Sequence, residues 1–224
     1  EIKRDAPSLN SRNIPDEEIV ERLFVYEHAG IRALSILTEP EYFKGKFTDI
    51  TLARQATRLP VLCKDFTITI EQVDLAAIHG ASAILIIAKI PESLELIPTC
   101  LDKGLTPLVE IHDSRDLEAM LPFVDGLEEN IIFGINNRDL ETMTIDIKRS
   151  AKLINRLTQV VGNGALIVSE SGIHSRSDIK FLTRSGMSVF LIGTALMVRP
   201  VLELERFIHS LRLDILEHGG EHHA

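Results

Sequence analysis

Short apolar runs alternate with amphipathic stretches along the chain, which predicts an α/β fold; their number predicts a closed (β/α)8 TIM barrel. Three observations carry this reading. The runs are continuously apolar and rich in β-branched residues, as parallel strands buried on both faces are. Seven of them, with a stub at Glu1, make eight β/α units of roughly 20–35 residues each. No Pro/Ser-rich linker or shift of composition divides the 224 residues. Residues 1–216 are therefore expected to form a single barrel domain, with a disordered tail at 217–224. A doubly wound open sheet is the alternative.

The elements follow in order. Apolar Ile19, Leu23, Phe24 and Tyr26 recur at helical spacing over residues 15–28, with Pro15-Asp16-Glu17 as a start signal and Gly30 as a stop. A strand is expected at 33–37, a helix at 49–58, and a strand at 61–63 leading into Lys64-Asp65-Phe66. Then come a helix at 70–79 ended by Gly80, a strand at 83–88, a helix up to Lys103-Gly104, and Leu108-Val109 running into Glu110. A helix at 114–121 precedes the strand 131–135. A longer helix at 146–158 leads to the strand 166–168 and to Ser169-Glu170-Ser171-Gly172. The last unit is a helix at 177–184, a strand at 189–192 and Gly193-Thr194-Ala195. A closing helix is expected over 202–216.

Composition narrows the class. Hydrophobic residues make up 45% and charged residues 25%, as in an ordinary globular protein, and the absence of Trp requires an aliphatic core. The 33 acidic against 24 basic residues give net charge −9, which argues against a nucleic-acid partner. The pair Cys63 and Cys100 is too few to staple a secreted scaffold, so reduced, buried thiols and a cytoplasmic location are expected. No run of about 18 apolar residues appears, so no membrane span is expected. Nor does Glu1-Ile2-Lys3-Arg4-Asp5 read as a signal peptide. The histidines near the C-terminus are too sparse to suggest a metal site.

A barrel builds its active site at the C-terminal ends of its strands. The residues there are Glu1 and Lys3, Lys64, Lys89, Glu110, Asn136 and Arg138, then Glu170 and Ser171. Side chains alternate along a strand, so Glu1 and Lys3 share an inward parity, and Lys64 shares one with Leu62. Cys63 then faces outward as a structural thiol. Charges at the end of an apolar strand are costly to bury unless they pair. Converging lysines and glutamates pair with one another, and their mutual influence shifts their pKa values as acid–base catalysis needs. The turns Ser171-Gly172-Ile173 and Gly193-Thr194-Ala195 follow the seventh and eighth strand positions, where such barrels bind phosphate on backbone N–H groups.

Several motifs then coincide: Glu1-Ile2-Lys3-Arg4 with Pro7-Ser8, Tyr42-Phe43-Lys44-Gly45, Lys64-Asp65-Phe66, Val109-Glu110-Ile111-His112-Asp113, Gly134-Ile135-Asn136-Asn137-Arg138-Asp139-Leu140, Ser169-Glu170-Ser171-Gly172-Ile173 and Gly193-Thr194-Ala195-Leu196-Met197. In this order, over nearly the whole chain, they resemble the indole-3-glycerol phosphate synthases of tryptophan biosynthesis. The resemblance implies a carbon–carbon lyase that converts 1-(2-carboxyphenylamino)-1-deoxyribulose 5-phosphate to indole-3-glycerol phosphate, losing CO2 and water without a cofactor. It implies Lys64 as the main general acid at the ketone and Glu110 as a proton-transfer group. Glu1 and Lys3 would assist acid–base steps and substrate placement, with Asn136, Glu170 and Ser171 completing the site. Arg138 would hold the anionic substrate, and Gly172, Gly193 and Thr194 the phosphate. Burial and neighbouring cations are expected to lower the Lys64 pKa toward neutrality. The only partner expected is this small phosphorylated substrate, with no nucleic acid and no membrane, on a monomer or weak homodimer.

Two departures from the family pattern carry expectations of their own. Ala6 stands where the family usually has Ser, preceded by Asp5, and Leu9-Asn10 replace a small or basic residue and Gly. A hydroxyl near the substrate is lost and a negative charge gained on a loop that covers an anion. A weakened or non-catalytic homologue that binds a phosphate ester is therefore the alternative from a different class. The family also carries a helical extension and most of its first strand before this Glu. A chain starting at Glu1 is expected to be part of a longer protein, and so short a first strand to close the barrel poorly. Phosphoribosylanthranilate isomerase shares the barrel, but its pattern places Cys and Asp where this chain has Lys3 and Asn136.

Overall fold

The computed structural model describes residues 1–9 and 12–218. Seven parallel strands form one sheet: β1 (Leu34–Leu37), β2 (Val61–Lys64), β3 (Ala83–Ile87), β4 (Thr106–Ile111), β5 (Ile132–Asn136), β6 (Leu166–Glu170) and β7 (Val189–Leu191). Their spatial order is their sequence order. A doubly wound sheet reverses direction at a switch point, so this order excludes the alternative and matches a barrel.

The stub at Glu1 takes the place of the first barrel strand. Ile2 pairs in parallel with Ile36; its N–H donates to the Ser35 carbonyl at 2.7 Å and its carbonyl accepts from Leu37 N–H at 3.0 Å. On the other side the Glu1 backbone nitrogen donates to the Ile192 carbonyl at 2.9 Å. Short as it is, the stub hydrogen-bonds to β1 and to the residue after β7, bringing Glu1 and Lys3 to the rim at the C-terminal ends of the strands.

Helices cover the outer face: α1 (Asp16–His28), α2 (Thr48–Ala56), α3 (Ile70–Ile78), α4 (Pro91–Leu94), α5 (Ile97–Asp102), α6 (Ser114–Val124), α7 (Lys148–Val161), α8 (Arg176–Arg184), α9 (Thr194–Met197) and α10 (Val201–His218). Their starts are chemically marked. Thr69 and Gln72 form a capping box on α3, Ser175 and Asp178 one on α8, and the Asp113 carboxylate caps α6. The single helix expected before Gly104 is broken into α4 and α5; Pro98, lacking an N–H, sits in the first turn of the second. Helix α6 runs past its expected end, accommodating Pro122 in its last turns. Helix α10 continues to His218, and the rest of the tail expected to be disordered lies outside the described residues.

Strand parity divides the core in two. Ile2, Leu34, Ile36, Cys63, Ile84, Ile86, Val109, Ile111, Phe133, Ile135 and Ile167 pack outward against the helices. Leu62, Ala83, Leu85, Ile87 and Leu108 form a separate cluster in the lumen, with Ile132 and Leu191 against it. Each such side chain contributes about 1.5–3 kcal/mol on burial. The lumen is therefore an aliphatic plug below and a charged layer above.

Candidate active site

Lys64 ends β2 and, as its parity requires, enters the lumen directly above Leu62, while Cys63 lies in the outer core. Its Nζ donates to Glu110 Oε2 at 2.9 Å and lies 3.1 Å from Glu170 Oε2. Glu110 and Glu170 are 1% and 0% exposed. The register sets Glu110 beside Gly134 and Glu170 beside Asn136. Gly134 is required here: a Cβ would overlap Glu170 Oε1 and stand 2.8 Å from Leu108 Cδ2. The missing side chain on β5 is the space the β6 carboxylate occupies.

The two carboxylates titrate in opposite directions. Burial works against ionising Glu110, but Lys64 and His112 outweigh it and hold its pKa well below the usual range. Glu170 is equally buried and sits beside ionised Glu110, so burial, eased by Lys64 and reinforced by Glu110, pushes it up to about 8. Neither Glu170 oxygen receives a hydrogen bond of good geometry among the described residues. The expectation for Lys64 is overturned. Burial alone would lower its pKa, but its neighbours are Glu110, Glu170 and Glu1 rather than cations, and together they raise it.

On the stub, Lys3 Nζ lies 3.3 Å from Glu1 Oε1 and donates to Thr194 Oγ1 at 3.1 Å, linking the first motif to the loop after β7. Arg4, 5% exposed, anchors this segment from behind. Its guanidinium donates to both Asp49 oxygens at 2.8 and 2.5 Å, to Asp16 at 2.6 Å and to the Ile14 carbonyl at 3.0 Å. Ala6 is buried in the helix-facing core, and Asp5 Oδ1 accepts the Ala6 N–H at 2.7 Å. The position expected to offer a hydroxyl to the substrate is thus packed among apolar side chains; Asn10 lies outside the described residues.

After β5, Asn136 Oδ1 accepts the Arg138 N–H at 2.9 Å, and residues 137–146 fold back through an Arg138–Ile145 bridge. Arg138 is half-buried and reaches the Met143 carbonyl at 3.4 Å. Lys89, expected among the strand-end charges, lies 2.5 Å from Glu141 of the same loop, outside the Lys64 cluster. Ser171 and Gly172 adopt positive φ of 64° and 78°, turning the chain sharply after Glu170. Among the described residues no three His, Cys, Asp or Glu side chains converge as a metal site needs.

Sequence reasoning missed the groups that hold this layer in place. Asn137 is fully buried; its amide donates to Ser169 Oγ and to the Ser171 carbonyl, each at 3.1 Å, and accepts from Ser150 Oγ at 2.9 Å. His112, two residues past Glu110, lies 3.2 Å from its Oε1. Both stand inside motifs quoted above, but only their burial separates them from ordinary polar turn residues.

Comparison with known proteins identifies the family. A family model described as indole-3-glycerol phosphate synthase matches residues 1–211. Proteins of that name from Bacillus cereus (strain G9842), Bacillus thuringiensis (strain Al Hakam) and Bacillus mycoides (strain KBAB4) are 40% identical over 218 residues, spanning 96% of this chain and 82% of theirs. A solved chain from a cube-shaped, highly porous protein cage, designed by fusing symmetric oligomeric domains, superposes with TM-score 0.64 at 13% identity. That match covers 91% of this chain and 69% of that one, and shows the fold alone. A parallel barrel with Lys64 between two buried carboxyl groups at its C-terminal rim, matched along nearly its whole length, belongs to the indole-3-glycerol phosphate synthase family.

Proposed function

We propose that residues 1–216 act as one catalytic unit in which this carbon–carbon lyase of tryptophan biosynthesis forms indole-3-glycerol phosphate, with Lys64 as the central acid. What carries the reading is the Lys64 ammonium set between Glu110 at 2.9 Å and Glu170 at 3.1 Å at the floor of the rim. In the substrate, 1-(2-carboxyphenylamino)-1-deoxyribulose 5-phosphate, ring closure turns the ketone oxygen into a developing alkoxide. Lys64 meets that charge and protonates it, and departure of CO2 returns electrons to the ring. Dehydration then needs an acid for the leaving hydroxyl and a base for the ring proton. Glu110, held ionised, suits the base; Glu170, carrying a proton near neutral pH, suits the exchange.

Lys3 and Glu1 place the sugar chain and assist these transfers, and Asn136 and Ser171 complete the wall. Arg138 meets the substrate carboxylate. The backbone at Gly172 and Gly193 with the Thr194 hydroxyl takes the phosphate, near the Lys3 ammonium bonded to Thr194. An acidic chain thereby presents local positive charge to a doubly anionic substrate. No helix among the described residues is long and apolar enough to cross a membrane, and we place the protein in the cytoplasm as a monomer or weak homodimer.

Lys64→Ala tests the reading in an indole-fluorescence turnover assay. Loss of rate by about 100-fold or more is expected; a turnover number equal to the parent's would sink it. Tight binding of a substrate analogue by the parent with no indole product would instead select the non-catalytic phosphate-ester binder.

A further inference from the structure

Behind Glu110 lies a charged group that the roles above leave unused. His112 is 4% exposed, with Nε2 3.2 Å from Glu110 Oε1 and Nδ1 3.1 Å from Asp116 Oδ2. The Nε2 contact lies off the direction of a good hydrogen bond and acts as an ion pair. Asp116, in the first turn of α6, is itself fixed. Its Oδ2 also accepts the His112 backbone N–H at 2.7 Å, and its own N–H donates to Asp113 Oδ1 at 3.1 Å. From the next layer Arg149 donates to the His112 carbonyl at 3.0 Å and reaches Asp139 at 3.2 Å. The ring is held from outside the lumen, and Nε2 is its edge toward the site.

The two oxygens of Glu110 are thus divided, Oε1 facing His112 and Oε2 bonded to Lys64. We infer that His112, held by Asp116, is a positioning residue that takes Oε1 of Glu110, fixes that carboxylate's rotamer and frees Lys64 from being its sole counter-ion. Burial favours the neutral imidazole, but Asp116 and Glu110 outweigh it and push the pKa up to about 9, so the ring is a cation at neutral pH. A cation on Oε1 keeps Glu110 ionised while Lys64 turns to the substrate. Without it, every departure of Lys64 would leave a buried carboxylate unpaired. The inference rests on the reading of Glu110 as a proton-transfer group.

The test is a set of isosteric variants in the turnover assay. In His112→Asn the amide nitrogen stands near the place of Nδ1 and keeps Asp116 paired, but it is too short to serve Glu110. In His112→Gln the amide reaches toward Glu110 and gives up Asp116. For the Asn variant kcat is expected to fall on the order of ten- to hundredfold, the cost of a misplaced reacting group, with KM within about threefold. The acidic limb of its pH–rate profile is expected to move up by about one pH unit as Glu110 loses a cation. The Gln variant is expected to recover several-fold of the lost rate. Asp116→Asn, remote from the lumen, is expected to lower kcat without raising KM, and carries the test if His112→Asn does not fold.

A folded Asn variant with parent kcat, or a loss confined to KM, overturns the inference, as does an unaffected Asp116→Asn. Glu110→Gln in the same series separates the two readings. If it is impaired while the His112 variants are not, only the positioning role fails; if it turns over like the parent, the role of Glu110 fails as well.

Discussion

Gly134→Ala perturbs the site by one methyl group and nothing else. Gly134 is not in the left-handed region, so alanine is free to adopt its backbone, and the effect is steric. The new Cβ would overlap Glu170 Oε1 and lie 2.8 Å from Leu108 Cδ2. Ordinary contact requires the carboxyl group to retreat on the order of 1 Å. It has little room, because Lys64 stands 3.1 Å from its other oxygen and the side chain is wholly buried. Overpacking of this kind costs about 1–3 kcal/mol, a drop in Tm of roughly 2–4 °C per kcal/mol in a chain of this size. An ångström of misplacement at a reacting group is worth about 100-fold in rate. Turnover should therefore fall far more than stability, measured by indole fluorescence and a thermal melt on one preparation. In a Glu170→Ala background the overlap with the carboxyl group is gone and only the contact with Leu108 Cδ2 remains, so Gly134→Ala should add less further loss than it causes alone. Parent-like kcat in the single variant, or full additivity in the double, would refute the claim that the carboxyl group occupies the space left by the glycine.

Glu170 also predicts a pH dependence of stability. Its folded pKa is raised to about 8, so the folded chain binds that proton more tightly than the unfolded one. The contribution is complete below the ordinary carboxyl value and is lost as pH rises to about 8, and raised His112 extends the decline to about 9. The Tm of Glu170→Gln, which stays neutral, should gain on the parent between about pH 5 and pH 8.5; a constant difference would contradict the assignment. Arg4→Ala leaves Asp49 buried without its cation, a loss of about 3–5 kcal/mol that denaturant unfolding would register. Because the same guanidinium anchors the Glu1–Lys3 segment, a rise in KM should accompany it; unchanged stability would show the anchor to be dispensable.

Much of this molecule was legible before any tertiary structure. Continuous apolar runs marked buried parallel strands, and the two-residue period separated Lys64 from Cys63, which the lumen and outer clusters reproduce. The residues that end those strands were nameable because a barrel gathers strand ends. Their electrostatics were not. Lys64 was expected to face cations and faces the carboxyl groups of Glu110, Glu170 and Glu1 instead. Glu110 and Glu170 are the same residue at the same kind of strand end, yet the pKa of one is pushed down and that of the other up. That difference depends on His112 beside one and on the space above Gly134 occupied by the other. Pattern and parity are local properties of a chain, so the sequence alone determined the elements and their inward faces. A pKa depends on desolvation and on charges within a few ångströms, brought together from strands tens of residues apart, and only the packed barrel decides those distances.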